Sequence, residues 1–206
     1  FSQTSTLNYD KMVAKGHIVR GIAGFEVNTY KFETLHTRAQ DFEDQSTGVF
    51  DLSKALITLP TLTNTTETNR MSFFGRLNYT ISNRYIFTST LRADGSSNLG
   101  RGNRFGYFPS MAFAWRAFNE PFMKKQNIFS DLRFRLSYGV TGNDRITPYQ
   151  NLAQLSPMYY ASNGNLVYGT APTTSENPFL KWETTHQYNL GIDAAVLNGR
   201  IALTAE

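Results

Sequence analysis

The chain has 206 residues, with 20 Lys and Arg against 16 Asp and Glu, a formal net charge of +4. So small an excess, with no clustered basic stripe, excludes the electrostatic footprint of a nucleic-acid-binding protein. Aromatics reach 14%, charged residues only 17%, and cysteine is absent, which excludes a disordered chain, a coiled coil, a disulfide framework and a thiol nucleophile.

No apolar run approaches the ~18 residues of a membrane-spanning helix. Phe1-Ser2-Gln3-Thr4 lacks the basic start and apolar core of a secretory signal. At the other end Ile201 to Glu206 break off in mid-alternation, so the chain is expected to be a piece of a longer one.

In chain order the dominant signal is a period of two, the mark of a strand with two different faces. A first, weak strand sets Val19, Gly21, Ala23, Phe25 and Val27 against Arg20, Glu26 and Asn28. A long polar stretch over residues 31–69 follows. Met71, Phe73, Gly75, Leu77, Tyr79 and Ile81 then alternate with Ser72, Phe74, Arg76, Asn78 and Thr80. Ser82-Asn83-Arg84 makes a tight turn. Beyond it Tyr85, Phe87, Ser89, Leu91 and Ala93 alternate with Ile86, Thr88, Thr90, Arg92 and Asp94.

After a loop rich in Gly, Ser and Asn over 95–106, Met111, Phe113, Trp115 and Ala117 oppose Ser110, Ala112, Ala114 and Arg116. A moderate turn over 119–130 leads to Leu132, Phe134, Leu136, Tyr138 and Val140, which oppose Asp131, Arg133, Arg135, Ser137 and Gly139. A very long connection covers 141–181. Tyr188, Leu190, Ile192 and Ala194 then oppose Gln187, Asn189, Gly191 and Asp193, and Leu197-Asn198-Gly199 turns the chain into a seventh strand at Arg200.

Every charged residue in these strands falls in one lane. That lane is otherwise Ser, Thr, Asn, Gly and Ala, while the other is heavy with rings. This is the pattern of a transmembrane β-barrel with a lipid-facing exterior and a wet interior. A soluble sheet with one solvated face is the alternative on periodicity alone. Connections that alternate long and short favour the barrel, as do segments near the ~9–11 tilted residues that cross a bilayer. Aromatics beside the turns (Tyr79, Tyr85, Trp115, Phe118, Phe129) fit interface girdles.

The expected fold class is therefore all-β: about seven antiparallel strands, a segment of a large transmembrane barrel. Lipid-facing positions are predicted at Phe73, Leu77, Phe87, Leu91, Phe113, Phe134, Leu136, Leu190 and Ile192. Lumen-facing positions are predicted at Arg76, Arg92, Asp94, Arg116, Asp131, Arg133, Arg135 and Asp193. These charges would pair with each other or with a plug, or touch substrate. Seven strands cannot enclose a polar lumen, since width grows with strand number. The closing strands are expected elsewhere.

The residues offer no catalytic constellation. His17, His36 and His186 stand apart in sequence and outside any metal-ligand spacing, so no metal and no cofactor are expected. Gly100-Arg101-Gly102-Asn103 lacks the Lys-Ser/Thr of a phosphate loop. Tyr149, Tyr159, Tyr160 and Tyr168 lie among Asn, Ser and Gly in the long connection. Such loops can stack on sugar rings, form an adaptable surface for a partner protein, or pack on one another. Trp182, after Asn177-Pro178, is expected at the external interface.

Four blocks, in order, carry a resemblance. They are Arg92-Ala93-Asp94-Gly95-Ser96-Ser97, and Tyr107-Phe108-Pro109-Ser110 leading to Trp115-Arg116. Next come Leu132 to Gly139 running into Thr141-Gly142-Asn143, and Asn177-Pro178-Phe179-Leu180-Lys181-Trp182-Glu183-Thr184. Together they resemble the barrel of SusC/RagA-type TonB-dependent transporters of the Bacteroidota outer membrane, over roughly residues 70–206. The resemblance implies a 22-stranded barrel, with residues 1–206 a partial barrel domain and the plug and remaining strands outside it. It also implies TonB-driven import of large nutrients, oligosaccharides or peptides, with TonB acting through the plug and a SusD-type surface lipoprotein as lid. A passive porin and a soluble glycan-binding or adhesin protein are the alternatives, and an outer-membrane phospholipase is a more distant one. Upstream plug sequence would separate the first from an importer, and solubility the second.

Overall fold

The computed structural model describes residues 1–43 and 51–206. Twelve strands run in chain order: β1 Ser2–Ala14, β2 His17–His36, β3 Ala39–Phe42, β4 Ala55–Thr58, β5 Leu62–Ile81, β6 Tyr85–Ser96, β7 Phe105–Trp115, β8 Phe129–Asn143, β9 Gln154–Ser162, β10 Asn165–Thr174, β11 Glu183–Val196 and β12 Ile201–Ala205. Eight form one antiparallel sheet in the order β1-β2-β5-β6-β7-β8-β11-β12. Two separate hairpins, β3–β4 and β9–β10, rise from its connections. Skipping those hairpins, each strand pairs with its sequence neighbour, so the sheet is a simple up-and-down meander.

The sheet is a single layer. Only Leu99, Phe108 and Ala117 are buried apolar side chains among the described residues. The accessible surface is 15312 Å², against roughly 9,700 Å² for a compact monomer of this mass. A soluble sandwich would hide one face of each sheet against a second layer. Here Phe87, Leu136 and Leu190 remain 46%, 54% and 68% exposed, and an apolar face of this size requires a cover.

The main sheet has eight strands where seven are expected from alternation. The additional one is β1, whose Lys11, Ser5 and Gln3 occupy the lane that carries rings elsewhere, so its period is masked. Strands β2 and β5 are each 20 residues long. Their outer portions, Thr29–His36 and Leu62–Asn69, pair in register although the lanes are no longer apolar and polar. Thr, Tyr and Phe there favour strand by side-chain shape rather than by face. At ~3.4 Å per residue such a ribbon is about 68 Å long, well beyond one bilayer crossing. The stretch over 141–181 likewise holds β9 and β10 rather than a plain loop.

The two ends of the sheet are built differently. One, the short end, carries the connections 15–16, 82–84, 116–128 and 197–200; the other, the long end, carries 37–61, 97–104 and 144–182, the first and last of which hold hairpins of their own. At the short end Ser82 and Asn83 adopt φ of 48° and 55°, the left-handed pair at the centre of a turn closed by Arg84 N–H on the Ile81 carbonyl at 2.9 Å. The 116–128 connection is clamped beside it. Arg116 N–H donates to the Arg84 carbonyl at 2.7 Å, and Asn119 Nδ2 to the Asn83 carbonyl at 2.7 Å. Glu120, 6% exposed, accepts from Tyr85 Oη at 2.6 Å and from Trp115 Nε1 at 3.2 Å, with Arg84 Nη1 at 3.3 Å from its other oxygen.

At the long end the inner side of the sheet carries an aromatic seat. The Phe108 ring lies against Gly106 and Gly142, where any Cβ would overlap it. Trp182 meets the same ring edge-on, with centroids 5.2 Å apart, and donates Nε1–H to the Arg104 carbonyl at 2.9 Å. Leu99 is fully buried nearby. Trp182 thus turns onto the polar face rather than to an external interface, because Gly106 leaves room for its indole there.

Two expected outcomes follow from these locks. Gly142→Ala displaces the Phe108 ring and costs about 1–3 kcal/mol, whereas Gly102→Ala, with open space around it, is neutral; chemical unfolding of the two variants checks this. The hydrogen bond from Tyr85, then that from Trp115 and the Arg84 charge, hold the Glu120 carboxyl below the ordinary glutamate range despite burial. A depressed folded value means the contribution is present above about pH 4.3 and is lost as pH falls through the depressed value. Thermal unfolding followed from neutral pH to about pH 3 should therefore fall less steeply in Glu120→Gln than in the unmodified protein.

Candidate functional site

The functional surfaces are the two faces of the sheet and the loops at its long end. Strand register carries each lane across the sheet without a slip in its central part. Phe25 pairs with Phe73, Phe73 with Ala93, Phe87 with Phe113, Phe113 with Leu136, and Leu136 with Leu190. Leu77, Leu91, Phe134 and Ile192 occupy the same face through Ser89, Gly75, Trp115 and Phe134 respectively. The nine positions Phe73, Leu77, Phe87, Leu91, Phe113, Phe134, Leu136, Leu190 and Ile192 thus share one side. Cross-strand ring pairs bind it together: Phe87–Phe113 at 4.8 Å, Trp115–Phe134 at 5.5 Å and Tyr138–Tyr188 at 4.8 Å between centroids.

Arg76, Arg92, Asp94, Asp131, Arg133, Arg135 and Asp193 share the opposite side. They form two clusters. Arg92 reaches Asp94 at 2.6 Å, Ser72 Oγ at 2.9 Å and Glu26 at 3.5 Å, with its guanidinium 5.7 Å over the Phe74 ring. Arg135 forks onto Asp193 at 2.9 and 3.1 Å and touches Glu206 at 2.8 Å; Thr204 donates to Asp193 at 3.1 Å. Gly191, directly opposite Arg135 in the pairing, gives the guanidinium its bed: a Cβ there would stand 3.1 Å from Nη2. Beside the first cluster, on β5 and β6, Arg76 donates to Thr90 at 3.2 Å and Asn78 to Thr88 at 2.8 Å.

Arg133 stands 3.9 Å from Asp131, outside the bidentate geometry of the other two. Arg116 lies past the end of β7, against the 82–84 turn, and so belongs to the short-end clamp rather than to the wall. One further pair completes the charged side, and half of it escapes a reading of alternation. Arg70, in the same lane as Arg76, binds Asp144 bidentately at 2.9 and 3.0 Å, tying the base of the 144–182 connection to β5. Asp144 is 8% exposed. The lane itself marks Arg70; its partner lies in a loop, where periodicity is silent.

The four tyrosines of the long connection are not brought together. Tyr159 and Tyr168 meet edge-on at 5.6 Å on one face of the β9–β10 hairpin, while Tyr160 is on the other, paired with Val167. Tyr149 lies apart, its Oη accepting from Glu67 N–H at 3.1 Å. There it joins Asn69, Asn98, Arg101, Arg104 and Asn151 around a polar pocket of about 370 Å³. This pocket assembles from the outer part of β5 and two separate connections, 97–104 and 144–182, which is why no local motif announces it. Among the described residues no group of three or more His, Asp or Glu could hold a metal ion.

A family model described as TonB dependent receptor-like, beta-barrel matches residues 2–206. TonB-dependent receptor P3 of Formosa agariphila is 35% identical over 198 residues, covering 96% of this chain and 20% of that protein. TonB-dependent receptor SusC of Bacteroides thetaiotaomicron is 43% identical over 143 residues, 66% of this chain and 14% of SusC. In the structure of the RagAB peptide transporter, one chain superimposes with a TM-score of 0.88 at 29% identity, covering 98% of this chain and 22% of that one. The chain thus spans about a fifth of the first of these relatives. With one ring-lined face, one ion-paired face and this superposition, the chain is a barrel segment of the TonB-dependent receptor family, SusC/RagA type, whose members are transporters of the bacterial outer membrane and not enzymes.

Proposed function

We propose that the protein is a TonB-dependent importer of large nutrients, of glycan or peptide class, in which residues 1–206 form part of the barrel domain. The observation that carries the reading is the single-layer sheet itself, apolar on one side and ion-paired on the other. In this reading the ring-lined face meets hydrocarbon, where every backbone group must find its partner within the sheet. The charged face lines a wet lumen, where Arg92 and Arg135 are paired with carboxylates and remain part-exposed.

The mechanism has three parts. Substrate is bound at the outer mouth by the long connections, among them the Tyr159–Tyr168 pair and the pocket beside Tyr149. A plug seated against the lumen wall is then rearranged from the periplasm through TonB. Passage along the polar face follows, with no bond made or broken in the substrate. The exposed rings of β9–β10 suit a SusD-type lid, since a two-stranded hairpin is marginal on its own and both of its faces carry uncovered apolar groups. The RagAB peptide transporter lends weight to a peptide-class cargo.

Two measurements test this reading. Uptake of oligosaccharide or peptide by cells relying on this protein should stop when the proton gradient is dissipated, whereas a passive porin would continue to conduct. Leu136→Arg or Leu190→Arg should impair barrel assembly by about 2–4 kcal/mol near the midplane, and Ser137→Arg or Asn189→Arg far less, read from folding yields in lipid vesicles. Equal tolerance at both pairs would reject the lipid-facing assignment.

A further inference from the structure

The short end of the sheet carries a charge that neither the wall nor the transport reading uses. Its connections, 15–16, 82–84, 116–128 and 197–200, hold Lys15, Arg84, Arg116, Lys124, Lys125 and Arg200 against a single acid, Glu120. The long-end connections over 37–61, 97–104 and 144–182 hold six basic and six acidic residues by sequence. The imbalance is therefore local to one end.

Geometry places the centre of that charge beside the apolar face. Tyr85 and Trp115 belong to the ring-lined lane, since they pair with each other and Trp115 pairs with Phe134. Both turn their polar tips onto Glu120. The 116–128 connection is consequently folded toward the lipid side and not under the lumen. Its next residues are Phe122, 62% exposed, then Lys124 and Lys125, and finally Ile128, 68% exposed. Exposed rings and aliphatic groups flanking paired lysines, at the level of a Trp–Tyr girdle, form an interfacial anchor. A cleft of about 660 Å³ opens beside it, lined by Phe118, Met123, Lys124, Gln126, Ile128 and Asn198. The cleft is apolar on one part of its wall and offers ammonium, amide and backbone groups on the rest.

We infer that the 116–128 connection is a membrane foot that binds anionic phospholipid headgroups in the leaflet on the short-turn side. Lys124 and Lys125 meet the phosphate, the cleft holds the headgroup, and Phe122 and Ile128 enter the acyl boundary. Glu120 does not oppose this, because Arg84, Tyr85 and Trp115 already consume its charge and lone pairs. The inference rests on the lipid-facing reading of the ring-lined lane. It adds a headgroup preference, and a leaflet, that a hydrophobic belt alone does not have.

The test uses the whole protein in detergent, titrated with phosphatidylglycerol or phosphatidylcholine, with retained lipid counted by native mass spectrometry. The unmodified protein should retain phosphatidylglycerol in preference to phosphatidylcholine, and the preference should fade in high salt. Lys124→Glu with Lys125→Glu should weaken phosphatidylglycerol binding about ten-fold or more and leave phosphatidylcholine unchanged. Lys54→Glu, at the long end, should change neither. Equal retention of the two lipids by the unmodified protein, or undiminished phosphatidylglycerol binding in the double variant, overturns the inference. A nitroxide at Leu136→Cys separates this from the broader reading. If that label is oxygen-accessible and shielded from aqueous relaxant while the double variant binds normally, the foot fails and the lipid-facing wall stands. If the label at Leu136 is as water-exposed as one at Ser137→Cys, both fail.

Discussion

A sheet one layer thick cannot bury either of its faces, and every other property of this molecule follows from that constraint. Ordinary domains satisfy the hydrophobic effect by stacking a second layer on the first. Here the backbone is satisfied strand to strand, while the side chains on both sides are left to whatever surrounds the sheet. The two sides are chemically opposite, so the two surroundings must differ as well. A closed barrel in a bilayer meets that requirement, for it separates hydrocarbon outside from water inside and leaves no sheet edge unpaired. Strands β1 and β12 are the edges of the sheet described here, and further strands would have to pair with them to close it.

The charged lane is consistent with a wet interior because of how its pairs are made. Arg92 and Arg135 are each bidentate or multiply bonded yet remain 40% and 38% exposed at the side chain. Pairs of that exposure contribute little to stability. Their worth is positional: a guanidinium held by two carboxylates presents a fixed edge to anything lying against the wall. The glycine opposite Arg135 serves the same end, since Gly191 leaves room for the guanidinium across the pair. The ring-lined lane is organised by contact instead, with aromatic pairs repeated from β6 to β11.

The faces of the central strands were legible from alternation alone, because one residue's shift would exchange hydrocarbon and water for every side chain in the strand. Legibility fails where that penalty vanishes. In β1 the lane carries Ser5 and Lys11, and in the outer half of β2 Tyr30 and Phe32 lie in the lane that carries charge elsewhere while Lys31 and Glu33 lie in the other, so a strand persists without a two-sided pattern. The β9–β10 hairpin has rings on both faces and reads as a loop rich in Tyr and Asn. Tertiary contacts were hidden for a different reason. Glu120, Asp144 and Trp182 sit in connections, and each acts on a partner 35, 74 or 78 residues away. Spacing along the chain has no bearing on such distances.

The asymmetry between the ends then acquires a physical meaning. At the short end, hydrogen bonds from Tyr85 and Trp115 to the one buried carboxylate of Glu120 hold the 116–128 connection against the 82–84 turn. The long end is tied to the sheet near its base, through Arg70–Asp144, Tyr149–Glu67 and the Phe108–Trp182 seat, while β9 and β10 form a separate sheet of their own. Under the proposed import function, a wall that stays at a fixed depth while its mouth takes in large cargo is served by this division. Fixing the basic, ring-flanked end to one leaflet leaves the opposite end free to move without tilting the barrel.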